Sequence, residues 1–246
     1  KMSQRGVTCM DCHDANSLKL RAECNNLCAR CHNAAKFDTE KHSGHKPGSK
    51  GAECVACHMP EQNYMVVDAR RDHAIRVPRP DLSDKLGSPN ACTQCHTDKK
   101  PQWAAAAMDQ WYGPAWRNRA QTGTTLHEGA TLGAAALPSV LALADNPAQP
   151  AVIRATALTL AQPHLQPDSL PVIQKLLQNV DPALRVAALE SMDPFDPAAR
   201  VQAAAPLLSD PVLGVRIEAA RLLADVPDAQ LPAPAREART RALKEY

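Results

Sequence analysis

The chain has 246 residues, a formal net charge of +2 at pH 7, nine cysteines and only 3% aromatic residues. This mild charge argues against nucleic acid or an anionic membrane as the main partner, and no run of about 18 apolar residues predicts a transmembrane segment. The length suits one or two domains. With so few aromatic rings, the chain needs another source of large apolar surface.

The first hundred residues contain four copies of the pentapeptide Cys-x-x-Cys-His, which use eight of the nine cysteines. Two thiols at this spacing can add to the two vinyl groups of one haem, and the histidine that follows then provides the proximal iron ligand. The sequence therefore predicts four haem c groups. The predicted attachment residues are Cys9, Cys12, Cys28, Cys31, Cys54, Cys57, Cys92 and Cys95, and the predicted proximal iron ligands are His13, His32, His58 and His96.

Other uses of paired cysteines explain this pattern less well. A zinc site needs two pairs to converge and gives no reason for a histidine after every pair. A disulfide framework leaves the histidines unexplained, and no βαβ pattern surrounds any copy, as a thioredoxin-like motif requires. Cys24 is left over, and two interpretations of it stay open: a free small side chain packed near a haem, or a redox or ligand role.

Each haem iron also has a sixth position, which a side chain closes in an electron carrier and which substrate occupies in an enzyme. His42 and His45 lie in one polar loop between the second and third motifs. An iron that already has a proximal histidine has one site left, so we expect these two histidines to bind different irons. Mainly bis-histidine coordination is the simplest interpretation, although methionine is a rival ligand.

Three histidines lie further along the chain. His73 is a third distal candidate. His127 is a fourth, which would reach back to the haem at His96; the alternative is a histidine on a helix surface. We expect His164, at a helix end, to be structural.

Four arginines surround His73. They form either a solvated basic face or a set of partners for haem propionates, which suit the arginine fork. The four are Arg70, Arg71, Arg76 and Arg79.

A helix is predicted from about Gln102 to Tyr112, before a Gly-Pro break. The aromatic residues in and after it are expected to pack the junction of two domains, with a role in electron tunnelling as the alternative. These residues are Trp103, Trp111, Tyr112 and Trp116.

After about residue 120 the chain contains an internal repeat. Three segments align on Arg154, Arg185 and Arg216, and each follows an Asp-Pro or Asp-x-Pro. The pattern predicts helix, turn and helix three times, with aspartate and proline at the start of each second helix. Such units stack into a solenoid because none buries its core alone. The repeated arginines are expected to interact with aspartates of adjacent units.

We therefore expect a mostly α protein. A haem-packed, loop-rich cytochrome domain would occupy residues 1–100, a junction helix and linker residues 101–120, and an α-solenoid of HEAT-like helical hairpins residues 121–246.

The four motifs, the stretches "YMVVDARRDHAIRVPRPDL" and "PNACTQCHTDKKPQWAA", and the arginine-aligned repeats together resemble a bacterial family. Its members are secreted multihaem c-type cytochromes in which a haem-rich region joins HEAT-like repeats. The resemblance covers the whole chain and implies haem c at the four motifs, with distal roles for His42, His45 and His73. Relatives often have a histidine near Ser3, and most lack Cys24. The start at Lys1 suggests a processed product or a segment of a longer protein.

Electron transfer is the expected function, with the repeats as scaffold or docking surface. The partners would be redox proteins, other cytochrome subunits or further copies of the chain in a haem wire. The alternative is a reductase of a nitrogen or sulfur oxyanion with one open iron. Because haem c is attached outside the cytoplasm, a periplasmic or extracellular location in bacterial respiration is expected.

Overall fold

The structure is a computed structural model that describes Met2 and residues 5–245. The protein is mostly helical, which confirms the coarse fold class. It divides between residues 121 and 122 into two compact units. In the described part of the chain, no helix is long and apolar enough to cross a membrane.

The first unit consists of short helices, one longer helix and one hairpin. Its helices are α1 (Cys9–Cys12), α2 (Asn25–Ala29), α3 (Ala34–Phe37), α4 (Glu40–Ser43), α5 (Cys54–His58), α6 (Pro80–Leu86), α7 (Ala91–Cys95) and α8 (Pro101–Tyr112), and its strands are β1 (Glu61–Tyr64) and β2 (Asp68–Arg71).

Apolar burial in the first unit is slight. Among its described residues, one buried cluster is present, formed by Ala105, Met108 and Trp116. Burying a large apolar side chain contributes about 1.5–3 kcal/mol, whereas ordering the backbone costs about 1–2 kcal/mol per residue. Packing of this cluster therefore offsets only a small part of that cost.

The hairpin was not foreseen from the sequence. Its strands pair antiparallel, from Glu61 opposite Arg71 to Tyr64 opposite Asp68. In the turn, Met65 has φ 49° and Val66 has φ 73°, a left-handed conformation that glycine and asparagine adopt far more readily than valine. The usual sequence signal for a tight turn is thus missing from this hairpin.

Helix α8 confirms the prediction for residues 102–112 to within one residue. Pro101 occupies its first turn, where a missing N–H costs nothing. Gly113, at φ 70°, ends the helix in a conformation that favours glycine.

The second unit contains eight helices among its described residues. They are α9 (Gly123–Thr131), α10 (Leu137–Asp145), α11 (Ala151–Ala161), α12 (Leu170–Leu177), α13 (Pro182–Glu190), α14 (Pro197–Ala204), α15 (Leu213–Leu222) and α16 (Ala233–Glu245).

Helices that carry the repeated motif pack against one another, α11 on α13 and α13 on α15, and α15 also packs on the last helix, α16. The repeated small and large apolar positions are buried at this contact, as their spacing predicts. These positions are Ala157, Leu158, Ala188, Leu189, Ala219 and Leu222.

The aspartate caps are confirmed in part. Asp181 caps α13 and accepts a hydrogen bond from the N–H of Ala183. Asp210 accepts one from the N–H of Val212, but it precedes the residue that caps α15, which is Val212 itself. Asp145 is different, because it ends α10 and pairs with Lys175 at 2.7 Å. The Asp-Asn-Pro sequence leaves five residues before α11 starts, too many for Asp145 to cap that helix.

The repeated arginines bind groups at the ends of neighbouring helices. Arg185 forms a buried ion pair with Asp210 of the next repeat at 2.8 Å, which bears out the expected contact between adjacent repeats. Arg154 donates instead to the carbonyl oxygen of Ala144, and Arg216 to that of Asp210. A shared arginine position therefore satisfies helix-terminal oxygens of several kinds.

Replacing Asp210 by asparagine should destabilise the second unit. Burial favours the neutral form of Asp210, but hydrogen bonds from Arg185 and from the N–H of Val212 outweigh it and hold the pKa below the ordinary 3.8. The pair therefore stabilises the fold above pH 3.8 and loses that contribution as pH falls through the lower folded pKa. We expect a loss of about 3 kcal/mol near neutral pH, shrinking below pH 3.8, measured by urea unfolding of the full chain.

Asp225→Asn is the matched control, because Asp225 pairs with Arg200 but is exposed. It should cost much less than the Asp210 variant near neutral pH, since exposed pairs contribute little. Equal losses in the two variants would contradict the role given to the buried pair.

Candidate haem sites

All four Cys-x-x-Cys-His motifs fold into the same local structure. The N–H of His13 donates to the carbonyl oxygen of Cys9 at 2.8 Å, and the same four-residue bond joins His32 to Cys28 and His96 to Cys92, each at 2.9 Å. In the third motif, α5 runs from Cys54 to His58 itself. One helical turn thus brings the two thiols and the imidazole of each motif together.

Three of the motif histidines face a histidine from elsewhere in the first unit. The ring centres are 6.4 Å apart for His13 and His73, 6.1 Å for His58 and His42, and 6.0 Å for His96 and His45. The interplanar angles are 29°, 13° and 35° in the same order.

These separations match two imidazoles on opposite sides of one iron. A histidine nitrogen lies about 2.0–2.1 Å from a bound metal, and its ring centre lies roughly 1.2 Å further back, so two such rings have centres about 6.4 Å apart. The residues therefore fit a haem iron between each pair.

Four of these histidines are held by main-chain oxygens through their Nδ1 atoms. His13 Nδ1 lies 2.8 Å from the carbonyl oxygen of Leu18, and His58 Nδ1 lies 2.8 Å from that of Arg76. His45 and His73 make the same bond to residues two positions earlier, at 2.7 and 2.8 Å. A carbonyl accepts, so Nδ1 carries the proton and Nε2 keeps a free lone pair for a metal.

The aromatic residues of α8 lie against these histidines. Trp103 is 4.8 Å from His96, Trp111 is 6.4 Å from His45 and Tyr112 is 6.3 Å from His42, between ring centres. Trp116 differs from them, because it is buried and donates from Nε1 to Asp109 at 2.9 Å.

His32 is the histidine of the first unit that faces no other imidazole. The seven histidines of this unit form three pairs and leave one over; they are His13, His32, His42, His45, His58, His73 and His96. The ring beside His32 is the phenyl group of Phe37, edge-on at 5.9 Å.

The two remaining histidines belong to the second unit. His127 lies in α9, and its carbonyl oxygen accepts a hydrogen bond from Thr131. The imidazole that faces His96 is that of His45. His164 packs on Gly133, where a Cβ would lie 3.1 Å from its ring, in line with a structural role.

The motifs follow one another in space as they do in sequence. The thiols of Cys28 and Cys54 are hydrogen-bonded, which joins the second motif to the third. Asn25 strengthens this junction by accepting from the N–H of Cys54 at 2.8 Å and donating to the carbonyl oxygen of Ala52 at 3.0 Å. Cys57 lies near Cys92 and Cys95 of the fourth motif. The arrangement would place successive haems next to each other.

The pKa shifts in these sites favour the neutral forms of the cysteine and histidine side chains. Burial raises the pKa of Cys54 and of Cys92 to about 11, with neighbouring cysteines adding to the effect. A dithiol redox centre needs the opposite, a lowered pKa. Burial, and then the charge of His58, lower the pKa of His42, so its imidazole is neutral at pH 7 and able to bind a metal.

The four candidate arginines divide into two groups. Arg79 is committed to structure, because it donates from Nε and Nη2 to both carboxylate oxygens of Asp81 at 2.8 Å and also binds the carbonyl oxygens of Arg117 and Arg119. Four of its five donors are used, so a propionate role is not supported. Arg71 donates to the Met59 carbonyl oxygen at 3.3 Å.

Arg70 and Arg76 remain exposed beside the hairpin. Arg70 pairs with Asp68 and lies over the Tyr64 ring, 4.9 Å from its centre. Arg76 is 3.5 Å from Asp72. Of the leftover groups, Cys24 is a free, exposed cysteine at the start of α2, with φ 49°.

No family model, curated protein or solved structure matches the chain. Within residues 5–245 and Met2, no three or more His, Cys, Asp or Glu side chains are grouped to hold one metal ion. The candidate ligands occur as opposed pairs, which suits the two axial positions of a haem rather than a tetrahedral zinc set.

Gly44 is the tightest position in the loop that holds His42 and His45. It has φ 69°, and a Cβ there would overlap the six-membered ring of Trp111. We expect Gly44→Ala to lower the free energy of unfolding and to displace the loop, because Trp111 has to move. Chemical denaturation measures the first effect, and the visible spectrum of the haem protein reports the second.

Gly87→Ala is the control that separates backbone strain from the overlap with Trp111. Gly87 has φ 68°, close to that of Gly44, but nothing lies within 4 Å of an added Cβ. It should show only the conformational cost of about 1 kcal/mol. A Gly44 variant no worse than this control would mean that Trp111 does not confine the loop.

Proposed function

We propose that this protein is a tetrahaem c-type cytochrome that transfers electrons, with bis-histidine coordination at three of its four haems. The observation that carries the proposal is the set of three opposed imidazole pairs, each joining a Cys-x-x-Cys-His histidine to a histidine outside the motifs, at 6.0–6.4 Å. The small apolar core of the first unit supports it, since four haems supply the missing apolar surface.

Bound haem supplies a reversible one-electron iron couple. The protein's part would be to attach and orient the haems: the cysteine pairs would hold the macrocycle, and the motif histidines would bind the irons. His73, His42 and His45 would provide the second histidine ligand at the first, third and fourth motifs. Irons with two histidine ligands would exclude substrate and water, which favours electron transfer over chemistry at the metal. Arg70, Arg71 and Arg76 remain candidates to pair with propionates.

The second unit would serve as a scaffold or docking surface in the form of a HEAT-like solenoid. Its support is the stacking of α11 on α13 and of α13 on α15, with the arginine repeat at each step. Redox proteins, other cytochromes or further copies of this chain are the partners that this role implies. Attachment of haem c places the protein in the periplasm or outside the cell.

Haem content and spin state test the assignment together. The pyridine haemochrome assay should find four haems per chain. In the oxidised protein, electron paramagnetic resonance should show low-spin signals from the bis-histidine haems. Each distal variant removes one ligand and should therefore turn one further haem high-spin; these variants are His73→Ala, His42→Ala and His45→Ala.

His164→Ala is the matched control, since this ring packs on Gly133 in the second unit; it should leave the spectrum unchanged. A count well below four would refute haem attachment at all four motifs. A distal variant with the spectrum of the unmodified protein would refute that ligand alone.

A second candidate function, reduction of a nitrogen or sulfur oxyanion, draws on His32. An iron held by His32 faces no other histidine of the first unit, and the neighbouring ring is the non-ligating phenyl group of Phe37. Its sixth position would then be free for a small ligand, as reductive chemistry at iron requires.

Carbon monoxide binding to the reduced protein tests this second candidate. We expect one carbon monoxide per four haems, bound at the haem of Cys28 and Cys31, with one high-spin haem in the oxidised state. Assays with reduced viologen and nitrite or sulfite then measure turnover. Absence of carbon monoxide binding would exclude the reductase and leave electron transfer standing.

A further inference from the structure

The loop that holds His42 and His45 has little support of its own. It consists of the four-residue helix α4 followed by Gly44 in a left-handed conformation. Both distal ligands therefore depend on what lies behind them. Two adjacent residues of α8, Trp111 and Tyr112, lie there.

Tyr112 supports His42 in two ways. Its hydroxyl donates a hydrogen bond to the carbonyl oxygen of His42. Its ring also meets the imidazole of His42 at 6.3 Å, and Phe37 meets the same imidazole edge-on at 5.3 Å. The imidazole that faces His58 is thus confined by two rings and by its own main chain.

Trp111 supports His45. The two rings meet at 6.4 Å and 69°, and Trp111 also lies against the Cα of Gly44, where there is no room for a Cβ. The main chain between the two ligands is therefore pressed against α8. In this position the Nδ1 atom of His45 also donates a hydrogen bond to the carbonyl oxygen of Ser43, at 2.7 Å.

Helix α8 is fixed well enough to act as this support. It packs against α6, and its Met108 belongs to the buried cluster of the first unit. Asp109 anchors the chain just beyond it, accepting from Trp116 Nε1 at 2.9 Å and from Arg117 at 2.7 Å.

We propose that Trp111 and Tyr112 are positioning residues that hold the distal ligands of two different haems, Trp111 acting through His45 on the fourth and Tyr112 through His42 on the third. This proposal rests on the proposed electron-transfer function. Neither residue touches iron in this scheme; each sets how readily its histidine leaves the metal. Two neighbouring residues of one helix would then control two redox centres separately.

The test measures carbon monoxide uptake and spin state in the full-length haem protein. Tyr112→Phe keeps the ring and removes only the hydroxyl donor, so His42 should be displaced by carbon monoxide roughly fivefold faster, the effect of one lost hydrogen bond. Tyr112→Ala and Trp111→Ala should each bind one carbon monoxide per chain more than the unmodified protein, with matching high-spin signals.

The haem affected identifies the role. The new signal of Tyr112→Ala should coincide with that of His42→Ala, and the signal of Trp111→Ala with that of His45→Ala. Trp111→Phe should restore most of the low-spin state and carries the test if the alanine variant does not fold. Tyr64→Phe, at the exposed hairpin, is the control and should change nothing.

The outcomes separate this proposal from the proposed function. The same number of low-spin haems in every α8 variant as in the unmodified protein, with only a lower free energy of unfolding, would overturn the positioning role and leave electron transfer intact. Fewer than four haems in the unmodified protein would overturn haem attachment itself.

Discussion

Opposed imidazole rings are the contacts on which the first unit depends. They join segments far apart in sequence: His13 to His73, His42 to His58, and His45 to His96. In most small domains a buried apolar core holds such segments together. Here the described core of the unit is one small cluster around Trp116, so under the proposed function the haems would take the place of such a core.

The second unit is organised by a different principle. Its repeated alanines and leucines are buried between stacked helices, and a repeated arginine satisfies oxygens where the helices end. Buried charge is costly unless it is paired, and Arg185 meets this condition with Asp210 and two main-chain oxygens. Packing of its own side chains therefore holds this unit together.

Several of the few aromatic residues lie beside histidines of the first unit. With only 3% of the chain aromatic, three aromatic residues of α8 are placed against His96, His45 and His42. Phe37 lies between the imidazoles of His32 and His42, at 5.9 and 5.3 Å. Rings that would fill a core elsewhere here surround the candidate iron ligands, which ties the geometry of neighbouring sites together.

Features within one helical turn were predictable from the sequence. The Cys-x-x-Cys-His spacing, the helix at 101–112 and the buried repeat positions depend on residues a few positions apart, for which helical geometry is decisive.

Pairings across long loops were not predictable in the same way. That His45 faces His96, that Arg79 binds the carbonyl oxygens of Arg117 and Arg119, and that His32 has Phe37 rather than an imidazole beside it all depend on how distant segments meet. The hairpin that precedes His73 also escaped prediction, because its turn uses Met65 and Val66 where asparagine and glycine are usual. The sequence by itself therefore determined the four local Cys-x-x-Cys-His turns, since each depends on residues a few positions apart; only the tertiary structure decided which side chain faces a motif histidine, since that requires loops of tens of residues to close.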